Sequence, residues 1–392
     1  MTSVAAPERT AATSALARCV GDPAAFLETT WGRRAVVHAG VEPSGFEDLL
    51  SFEDVDRIVS STSLRTPAFR LVQAGKQIPE TTYTRSGTTG SRPVTGMADP
   101  ARIADLFRGG ATIVLQGLHR YWEPVGRFVR DLEVELGHAC QVNAYITPPG
   151  AQGLPLHDDP HDVLVLQAFG RKRWEVHAAP AETEREPIHA TVATGDAIYM
   201  PEGTPHAAAA QEAVSGHLTV GIHVASWRDV LAKALRERMP TLDEPIPAGW
   251  PRDPEGFARA LAQRLALARE ELGTVDPEEL ADRYAIAFLS TRASLVRGVL
   301  IDQQDLERID DRSLLERRPG SLCELRGHGE LLLVLLGDRR LEMPGWLEPA
   351  MRRVATSTSI TVNDLADVVP DPESRLVLAR RLVREGLLRP VR

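Results

Sequence analysis

The chain has 392 residues and a formal net charge of −9, with 43% hydrophobic and 25% charged residues. That length predicts roughly two or three domains with a core in each. The near-average composition excludes a disordered or membrane-spanning class. The acidic balance disfavours a protein that binds nucleic acid over its whole surface, whereas a basic protein partner is compatible with it.

The cysteines and the N-terminal residues indicate a reducing compartment. Cys19, Cys140 and Cys323 are odd in number and far apart, so we expect neither a disulfide framework nor a cysteine metal site. Residues 1–17 lack the basic and apolar regions of an export signal. The longest aliphatic run, residues 331–336, is too short to span a bilayer. We therefore expect a cytoplasmic protein with no membrane association.

The elements of the N-terminal part follow from turn, cap and spacing signals. Residues 1–20 are rich in Ala, Thr and Ser and are predicted to be loose, with order beginning at a capped helix near Asp22. Apolar spacing predicts a helix over residues 46–59. A Thr/Ser/Gly stretch at residues 81–96 is typical of a loop, and residues 99–108 are predicted to be helical.

A β-rich region is predicted after these elements and extends to about residue 225. Residues 111–115 form a short apolar run typical of a buried strand, and residues 122–136 have the spacing of an amphipathic helix. Residues 141–146 alternate between apolar and polar side chains, as a half-buried strand does.

Within this region His157, Asp159 and the later His206 form a His-x-Asp…His pattern. Two imidazoles and one carboxylate on one face of an octahedral Fe(II) leave positions open for a cosubstrate and O2. Because a structural metal site would be closed, the open positions indicate catalysis. The pair alone is weak evidence, since a chain with 11 histidines is expected to contain such a spacing by chance.

The surroundings of the pattern strengthen it. Strand-like runs at residues 161–167 and 173–177 flank a turn at residues 170–172, and a short buried run at residues 195–201 leads through a Pro/Gly loop to His206. In a small double-stranded β-barrel these strand ends converge on one mouth. Barrels of this kind usually hold their ligand there.

The character of the chain changes at residue 227, where helical spacing begins. Residues 229–239, 254–272 and 277–296 are predicted helices, and the last two carry Pro in the first turn. The second has an apolar stripe that must be buried against something. Two alternatives stay open: an intrachain core or the interface of a homodimer.

The final part has the outline of a winged helix-turn-helix. A helix over residues 371–385, closed by Gly386, precedes a strand over residues 387–391. The helix is basic, and its arginines are Arg375, Arg380, Arg381 and Arg384. A basic helix of this kind suits a nucleic-acid backbone, but acidic residues lie close by and such charges usually form a solvated face, so nucleic acid is not the expected partner.

Several motifs together carry a family resemblance. They are Asn143-Ala144-Tyr145-Ile146-Thr147-Pro148-Pro149-Gly150, His157-x-Asp159, His161-Asp162-Val163, Leu166-Gln167, Gly170-Arg171-Lys172-x-Trp174 and Pro201-x-Gly203-Thr204-x-His206, with Phe26-Leu27 and Trp31 near the start. This set resembles the ribosomal oxygenases, which are JmjC-type cupin hydroxylases. The order of barrel, helical dimerisation region and winged helix is similar too, so the resemblance covers nearly the whole chain.

The resemblance implies roles for the motif residues. His157, Asp159 and His206 would bind Fe(II), and Lys172 would pair with the C5 carboxylate of 2-oxoglutarate. A dicarboxylate deep in a barrel needs a fixed cation, which agrees with this role for Lys172. Lys172 is expected on the turn that leads into a strand, where its ordinary alternative is an exposed lysine.

Further implied cosubstrate residues are Asn143, Tyr145 and Thr219. Asn143 and Tyr145 share one face of their strand at a spacing of two, and Thr219 shares a face with His217 and His223. Without the resemblance Tyr145 would be read as a core aromatic. The two histidines are expected to support the site or fill the core rather than bind metal.

Two positions depart from the family pattern. Gly221 falls where some members carry a serine that contacts substrate, and Leu164 replaces the commoner phenylalanine. We expect both to affect substrate identity more than chemistry.

The predicted fold is a mixed α and β protein: a double-stranded β-helix (cupin/JmjC) barrel, then a helical domain and a C-terminal winged-helix domain. The predicted divisions are a loose N-terminus (1–20), a catalytic domain (21–226), a helical dimerisation domain (227–300) and a winged helix (301–392). The predicted function is a 2-oxoglutarate-, Fe(II)- and O2-dependent hydroxylase of an Arg or His side chain in a ribosomal protein.

Other functions remain as alternatives at this point. One is a hydroxylase of a peptide or small molecule in a biosynthetic pathway, and another is a non-enzymatic winged-helix regulator. Demethylation of N-methyl lysine uses the same chemistry, and the family resemblance disfavours it.

Overall fold

The computed structural model of the protein describes residues 14–151, 154–182, 185–210, 212–293 and 297–392. The chain divides into two compact units, Met1–Val224 and Ala225–Arg392. The predicted change from β-rich to helical character at residue 227 lies next to this division. The separation of the second unit at residue 300 stays a prediction. None of the helices in the described ranges combines the length and apolar character needed to cross a bilayer.

Helices of the first unit begin where capping residues predict. They are α1 (Ala15–Val20), α2 (Pro23–Thr29), α3 (Phe52–Ser61), α4 (Pro100–Arg108) and α5 (Glu123–Leu136). The Asp22 and Asp99 side chains accept hydrogen bonds from backbone N–H groups in the first turns of α2 and α4, and Pro follows each of them. The helices predicted at 99–108 and 122–136 are confirmed.

Strands make up most of the rest of this unit. They are β1 (Val36–His38), β2 (Phe69–Gln73), β3 (Lys76–Gln77), β4 (Thr84–Thr89), β5 (Arg92–Ala98), β6 (Thr112–Leu115), β7 (Ala139–Thr147), β8 (Asp162–Phe169), β9 (Arg171–Val176), β10 (Ile188–Ala193), β11 (Ala197–Met200), β12 (His206–Ala210) and β13 (Ser215–His223).

Two sheets frame the region that contains the His-x-Asp…His residues. In the described residues, the larger sheet has the order β1-β11-β8-β13-β7-β6-β2-β3 and the smaller one has the order β10-β9-β12. Alternation along β8 sends Leu164 and Leu166 into the core shared with the helices, while Val163 and Val165 pack with Trp174 of β9. Every residue of β8 is therefore buried.

Three expectations about the N-terminal part are wrong. Residues 14–20 were expected to be loose, yet α1 forms and buries Leu16 and Cys19 because Glu135 of α5 accepts hydrogen bonds from its first N–H groups at 3.1 and 2.9 Å; residues 1–13 lie outside the described residues. The helix expected over 46–59 begins only at Phe52, where Ser51 and Asp54 form a capping box.

The segment 81–96, which was expected to be a loop, instead contains most of the β4–β5 hairpin. Its strands are largely exposed and polar, so they lack the apolar alternation on which the prediction depended. The threonines are β-branched and favour strand conformation. Gly90, with φ of +58°, makes the turn between the strands.

The second unit contains helices and two small sheets. Its elements are α6 (Trp227–Arg238), α7 (Pro254–Gly273), α8 (Pro277–Leu289), α9 (Val299–Asp302), β14 (Leu314–Arg317), β15 (Glu324–His328), β16 (Leu331–Leu335), β17 (Arg340–Pro344), α10 (Glu348–Thr356), β18 (Ser359–Thr361), α11 (Pro372–Arg384) and β19 (Leu388–Pro390). In the described chain the sheets have the orders β18-β14-β19 and β15-β16-β17.

The core of the second unit is formed by its C-terminal part. Buried residues from Leu306 to Leu388 make one apolar cluster. In contrast, α7 buries none of its described residues, and Leu261, Leu265 and Leu272 are 47%, 62% and 38% exposed. Within the described residues, these three leucines of the stripe that was predicted to need a partner stay exposed to solvent. The last residues of the helix predicted at 277–296 lie partly outside the described residues, and α8 ends at Leu289.

Candidate active site

His157 and His206 are brought together by a backbone bridge. The N–H of each residue donates to the carbonyl oxygen of the other, at 3.1 and 2.8 Å. Such a reciprocal antiparallel pair places both side chains on one face. The ring centroids are 4.4 Å apart. A loop residue and the first residue of β12 thus become neighbours.

Asp159 completes the group two residues after His157. Its carbonyl oxygen accepts from the Gly203 N–H at 3.0 Å, which fixes this loop against the turn before β12. Its Oδ2 lies 3.8 Å from His206 Nε2. One ligand atom from each of His157, Asp159 and His206 can be chosen so that all three lie within 4.8 Å of one another. That spacing is suited to one metal ion held from one side.

The two imidazoles are oriented for metal binding. His157 Nδ1 donates to the Pro155 carbonyl oxygen at 2.8 Å, and His206 Nδ1 donates to that of Thr204 at 2.9 Å. Each Nε2 therefore keeps a free lone pair. Burial lowers the pKa of His206, which favours the neutral imidazole that binds metals.

Lys172 is a buried lysine within β9, only 2% exposed. The expectation that it lies on the turn is wrong, because the turn is confined to Gly170 and β9 begins at Arg171. Gly170 has φ of +70°, and a Cβ there would come within 2.1 Å of the Val214 carbonyl oxygen. This tight turn aims the second residue of β9 inward.

The contacts of Lys172 are to neutral groups. Its Nζ donates to Thr147 Oγ1 at 3.0 Å and lies 3.3 Å from His217 Nδ1. Burial lowers the pKa of Lys172 to about 7 and the pKa of His217 well below its usual range. Among the described residues, the ammonium group has no carboxylate partner at this site, so the position has room for an external anion.

One cavity joins the metal-type residues to Lys172. Its walls are formed by Val72, Thr112, Val114, Tyr145, Thr147, Leu154, His157, Asp159, Val163, Val165, Lys172, Trp174, His206, Ala208, His217 and Thr219. Mixed apolar walls with a few convergent polar groups are typical of a small-molecule site.

The remaining predicted cosubstrate residues divide into two groups. Tyr145 and Thr219 line the cavity, and the Tyr145 ring stacks on His217 at 5.2 Å. Asn143 is not among the lining residues; its Oδ1 accepts from the Gly117 N–H at 3.0 Å, and its side chain also hydrogen-bonds Tyr145. Burial raises the pKa of Tyr145, so its hydroxyl stays protonated.

Sequence reasoning missed two polar groups of this cavity. Thr147 was quoted only as part of a motif, yet its hydroxyl contacts both Lys172 and Thr112, the latter at 3.2 Å. Trp174 is 4% exposed, and its Nε1 has no hydrogen-bond partner in the described residues. A buried unsatisfied donor on a cavity wall suits a ligand oxygen. The signal available in the sequence was the position of Trp174 two residues after Lys172 in one strand, which places both side chains on the same face.

Asp162 supports the loop that carries His206. Its side chain is 5% exposed, accepts from the Glu202 N–H at 2.8 Å and receives the Tyr199 hydroxyl. Glu202 and Gly203 lie in the turn just before His206. The buried carboxylate therefore positions His206 from behind.

The two departures from the family pattern have different surroundings. A Cβ at Gly221 would come within 2.7 Å of the His161 ring, so the imidazole fills the space beside this glycine. His161 also contacts His223, with centroids 5.3 Å apart. Leu164 lies in the core on the opposite face of β8. The expectation that Leu164 affects substrate identity is therefore not supported by any contact with the cavity.

Comparison with known proteins fits this geometry. A JmjC-domain family model matches residues 122–230, a stretch that contains the three ligand-type residues and Lys172. Ribosomal oxygenase 2 of Bos taurus is 28% identical over 327 residues, which cover 70% of this chain and 71% of that protein. The chain is similar to the ribosomal oxygenases and carries a match to the JmjC domain. The resemblance inferred from the motifs is thereby confirmed.

Other relatives differ more in length from this chain. Ribosomal oxygenase 1 of Gallus gallus is 28% identical over 231 residues, which cover 54% of this chain and 37% of that protein. The chain thus spans about a third of the ribosomal oxygenase 1 relatives.

Solved structures of the Escherichia coli ribosomal oxygenase YcfD share the fold. One has a TM-score of 0.54 and 18% identity, covering 94% of this chain and 98% of that one. Another, of YcfD in complex with cobalt and 2-oxoglutarate, has a TM-score of 0.55 and 18% identity over 93% of this chain and 97% of that one. The predicted class, a mixed α and β protein with a JmjC/cupin fold, is confirmed at this level.

Proposed function

We propose that the protein is an Fe(II)- and 2-oxoglutarate-dependent oxygenase that hydroxylates an arginine or histidine side chain of a ribosomal protein. One observation carries the proposal: a single cavity holds an open set of two histidines and one aspartate together with a buried lysine that has no anion beside it. The first group suits a catalytic metal, and the second suits an acidic cosubstrate.

The donor atoms fit iron. His157 and His206 offer Nε2 lone pairs, and Asp159 offers carboxylate oxygen. Imidazole and carboxylate suit Fe(II), and three protein ligands leave coordination positions for a cosubstrate and O2. YcfD has been solved with cobalt, a metal that such ligand sets also accept.

The rest of the cavity fits 2-oxoglutarate. Lys172 supplies an ammonium group, Thr147 a hydroxyl and Trp174 an unpaired N–H, and these are the groups that a bound carboxylate needs. A carboxylate beside Lys172 would also favour the charged lysine, which burial alone disfavours. We infer that Tyr145 and Thr219 contact the same molecule because they line the same cavity. Asn143 would act through Tyr145.

When bound, iron and 2-oxoglutarate would supply an oxidant made from O2 that is strong enough to break an unactivated C–H bond. The residues of the chain would position the reactants and exclude water from the cavity. The bridge between His157 and His206 would hold these two ligands at a fixed spacing, and Asp162 supports the turn before His206. Buried Val163, Val165 and Trp174 exclude water from the inner wall.

The class of substrate is supported by the relatives and by charge. The names of the relatives specify ribosomal oxygenases, and ribosomal proteins are basic partners for a chain of net charge −9. An arginine or histidine target is what the family resemblance implies.

We further propose the finer architecture: a double-stranded barrel, a helical dimerisation region and a C-terminal winged helix. The small sheet β18-β14-β19 beside α11 supports the winged helix. Nucleic acid is not the proposed partner, because Arg375, Arg380 and Arg381 of α11 are paired with carboxylates. The exposed leucines of α7 support a homodimer. A cytoplasmic location remains a prediction from cysteine usage.

The test compares ribosomal proteins from cells with and without the gene by intact-protein mass spectrometry. We expect one ribosomal protein to lack the mass of one oxygen atom when the gene is absent. The purified enzyme with Fe(II) and 2-oxoglutarate should restore that mass, and His157→Ala or Asp159→Ala should abolish the reaction.

A matched control is His189→Ala, which removes an exposed histidine from β10 outside the cavity and should leave the reaction intact. Activity that survived the change of His157 or Asp159 would refute the iron assignment. An unchanged set of ribosomal proteins, with 2-oxoglutarate still turned over, would point to a peptide or small-molecule substrate.

A further inference from the structure

The second unit carries an open groove between β17, the turn after it and the first half of α11. Its volume is about 470 Å³. We call it the β17–α11 groove, and its lining residues are Leu341, Glu342, Met343, Trp346, Leu347, Asp371, Glu373, Ser374, Val377, Leu378 and Arg381.

The floor of the groove is apolar and its edges expose large side chains. Leu341, Met343 and Leu378 are buried and belong to the core of this unit. Trp346 and Val377 stand at the groove with 57% and 64% of their surfaces exposed. Exposed apolar patches with a polar rim mark interaction sites, and tryptophan is enriched at the centres of interfaces.

The rim of the groove is acidic. Glu342, Asp371 and Glu373 are exposed carboxylates, and hydrogen bonds from Ser374 lower the pKa of Asp371. In the described part of the chain Glu342 and Glu373 form no ion pair. The one cation of the lining, Arg381, is already paired with Glu385 at 2.7 Å. The groove therefore presents an excess of negative charge around an exposed indole.

We propose that the β17–α11 groove binds a lysine- and arginine-rich segment of a partner protein. A guanidinium or ammonium group over the Trp346 ring gains a cation–π contact. The aliphatic stems of the same residues pack on Val377, while their charged ends reach the carboxylates of the rim. A phosphate backbone would meet these carboxylates and is repelled. The proposal holds whether or not the cavity of the first unit is an oxygenase site.

The test is a binding titration on the full chain. The probe is a short fluorescein-labelled peptide of alternating arginine and leucine, followed by fluorescence anisotropy at low and physiological salt. Trp346→Ala and the double change Glu342→Lys with Glu373→Lys should each raise the Kd about ten-fold, the size expected from losing one such contact.

The matched control is Glu278→Lys with Glu279→Lys, which makes the same charge change on exposed residues in the first turn of α8 and should leave the Kd within about two-fold. If Trp346→Ala fails to fold, the Kd of the double charge variant decides the test. Trp346→Phe cannot replace Trp346→Ala in this role, because it keeps an aromatic ring. The double change does not touch the core.

Three outcomes would overturn the proposal. Equal losses in the groove and control variants would show only general charge attraction. Tighter binding of a single-stranded RNA oligonucleotide than of the peptide, lost in the groove variants, would make it a nucleic-acid site. Conversion of a dimer to a monomer by Trp346→Ala in light scattering would make it a contact between two copies of the chain.

Discussion

Lys172 shows how one residue defines what the cavity can accept. A buried ammonium group whose contacts are a hydroxyl and an imidazole is destabilising unless an anion joins it. The same feature that costs stability in the free protein therefore creates affinity for a carboxylate. We regard this as the strongest single-residue argument for an acidic cosubstrate.

Lys172→Met should separate these two effects. We expect affinity for 2-oxoglutarate, measured by calorimetry with Co(II) as the metal, to fall about 10- to 100-fold, because a charge-assisted hydrogen bond contributes roughly 1.5–3 kcal/mol. The variant should unfold at the same or a higher temperature than the wild type. Arg171→Met, one residue away and exposed, should change neither property. Unchanged affinity would remove Lys172 from the site.

The pKa of Lys172 adds a pH dependence to this comparison. Burial lowers it from 10.5 to about 7. Between these values the unfolded chain binds a proton that the folded chain has released, so this group makes the wild type more stable as pH rises, and its full cost is present below pH 7. In urea unfolding without ligand, the advantage of Lys172→Met should be larger near pH 7 than at about pH 9. A stability difference between the two proteins that stays the same at both pH values would contradict the lowered pKa of Lys172.

Trp174 is the second residue with a specific prediction. Its buried Nε1 lacks a partner in the described residues, and Trp174→Phe removes that donor while keeping a ring on the cavity wall. We expect affinity for 2-oxoglutarate to fall about ten-fold, as for one lost hydrogen bond. Trp227→Phe, at a tryptophan 82% exposed, is the control. If both variants bind equally well, the indole N–H does not meet the cosubstrate.

At the scale of elements, the site depends on connections between strands that are distant in sequence. The His157–His206 bridge joins the loop after β7 to the start of β12, and the turn at Gly170 sends Lys172 inward from β9. These contacts fix the relative positions of three metal-type residues and a lysine, although two of the three metal-type residues lie in a loop.

Asp162→Asn tests the support behind β12. The carboxylate accepts from the Glu202 N–H and from Tyr199, and the change replaces one acceptor oxygen with a donor group. Loss of such outer support typically lowers metal affinity about 10- to 100-fold, and we expect that loss in a Co(II) titration. Asp196→Asn is the control, because Asp196 caps the turn at the other end of β11 and accepts from Ala193 N–H at 2.7 Å. Asp196→Asn should lower the stability of the protein without changing its affinity for metal. Equal losses of metal affinity in the two variants would show a general folding defect.

At the scale of the whole molecule, the region predicted to dimerise lies outside the main core of its unit. The described residues of 227–300 contribute nothing to that core, and α7 exposes Leu261 and Leu265 at a spacing of four. Since helix stability in proteins comes mainly from packing of an apolar face, this region gains the most from a second copy.

Leu265→Glu should therefore convert a dimer to a monomer in light scattering. A buried charge without a partner is strongly unfavourable at an interface, and Leu265 is 62% exposed on α7. Gln263→Glu adds the same charge about 200° around the helix and should leave the dimer intact. A wild-type protein that is monomeric at high concentration would refute the dimer.

The sequence by itself determined the candidate site residues and the local elements. His157, Asp159 and His206 could be named in advance as candidate metal ligands because metal sites of the proposed type restrict the residue types and their order along the chain. Helices α4, α5 and α7 could be placed because caps, prolines and apolar spacing are local signals. The JmjC fold could be inferred because each of its motifs is a short continuous segment of the chain.

Only the tertiary structure decided what depends on partners far away in sequence. The helix α1 forms because Glu135 covers its first N–H groups, and the polar hairpin β4–β5 has no periodicity that marks it as paired. The burial of Lys172, its neutral neighbours, the unpaired Nε1 of Trp174 and the direction of Leu164 depend on which faces of the two sheets meet. No local pattern encodes that choice, because alternation along a strand separates two faces without saying which of them will enclose the cavity.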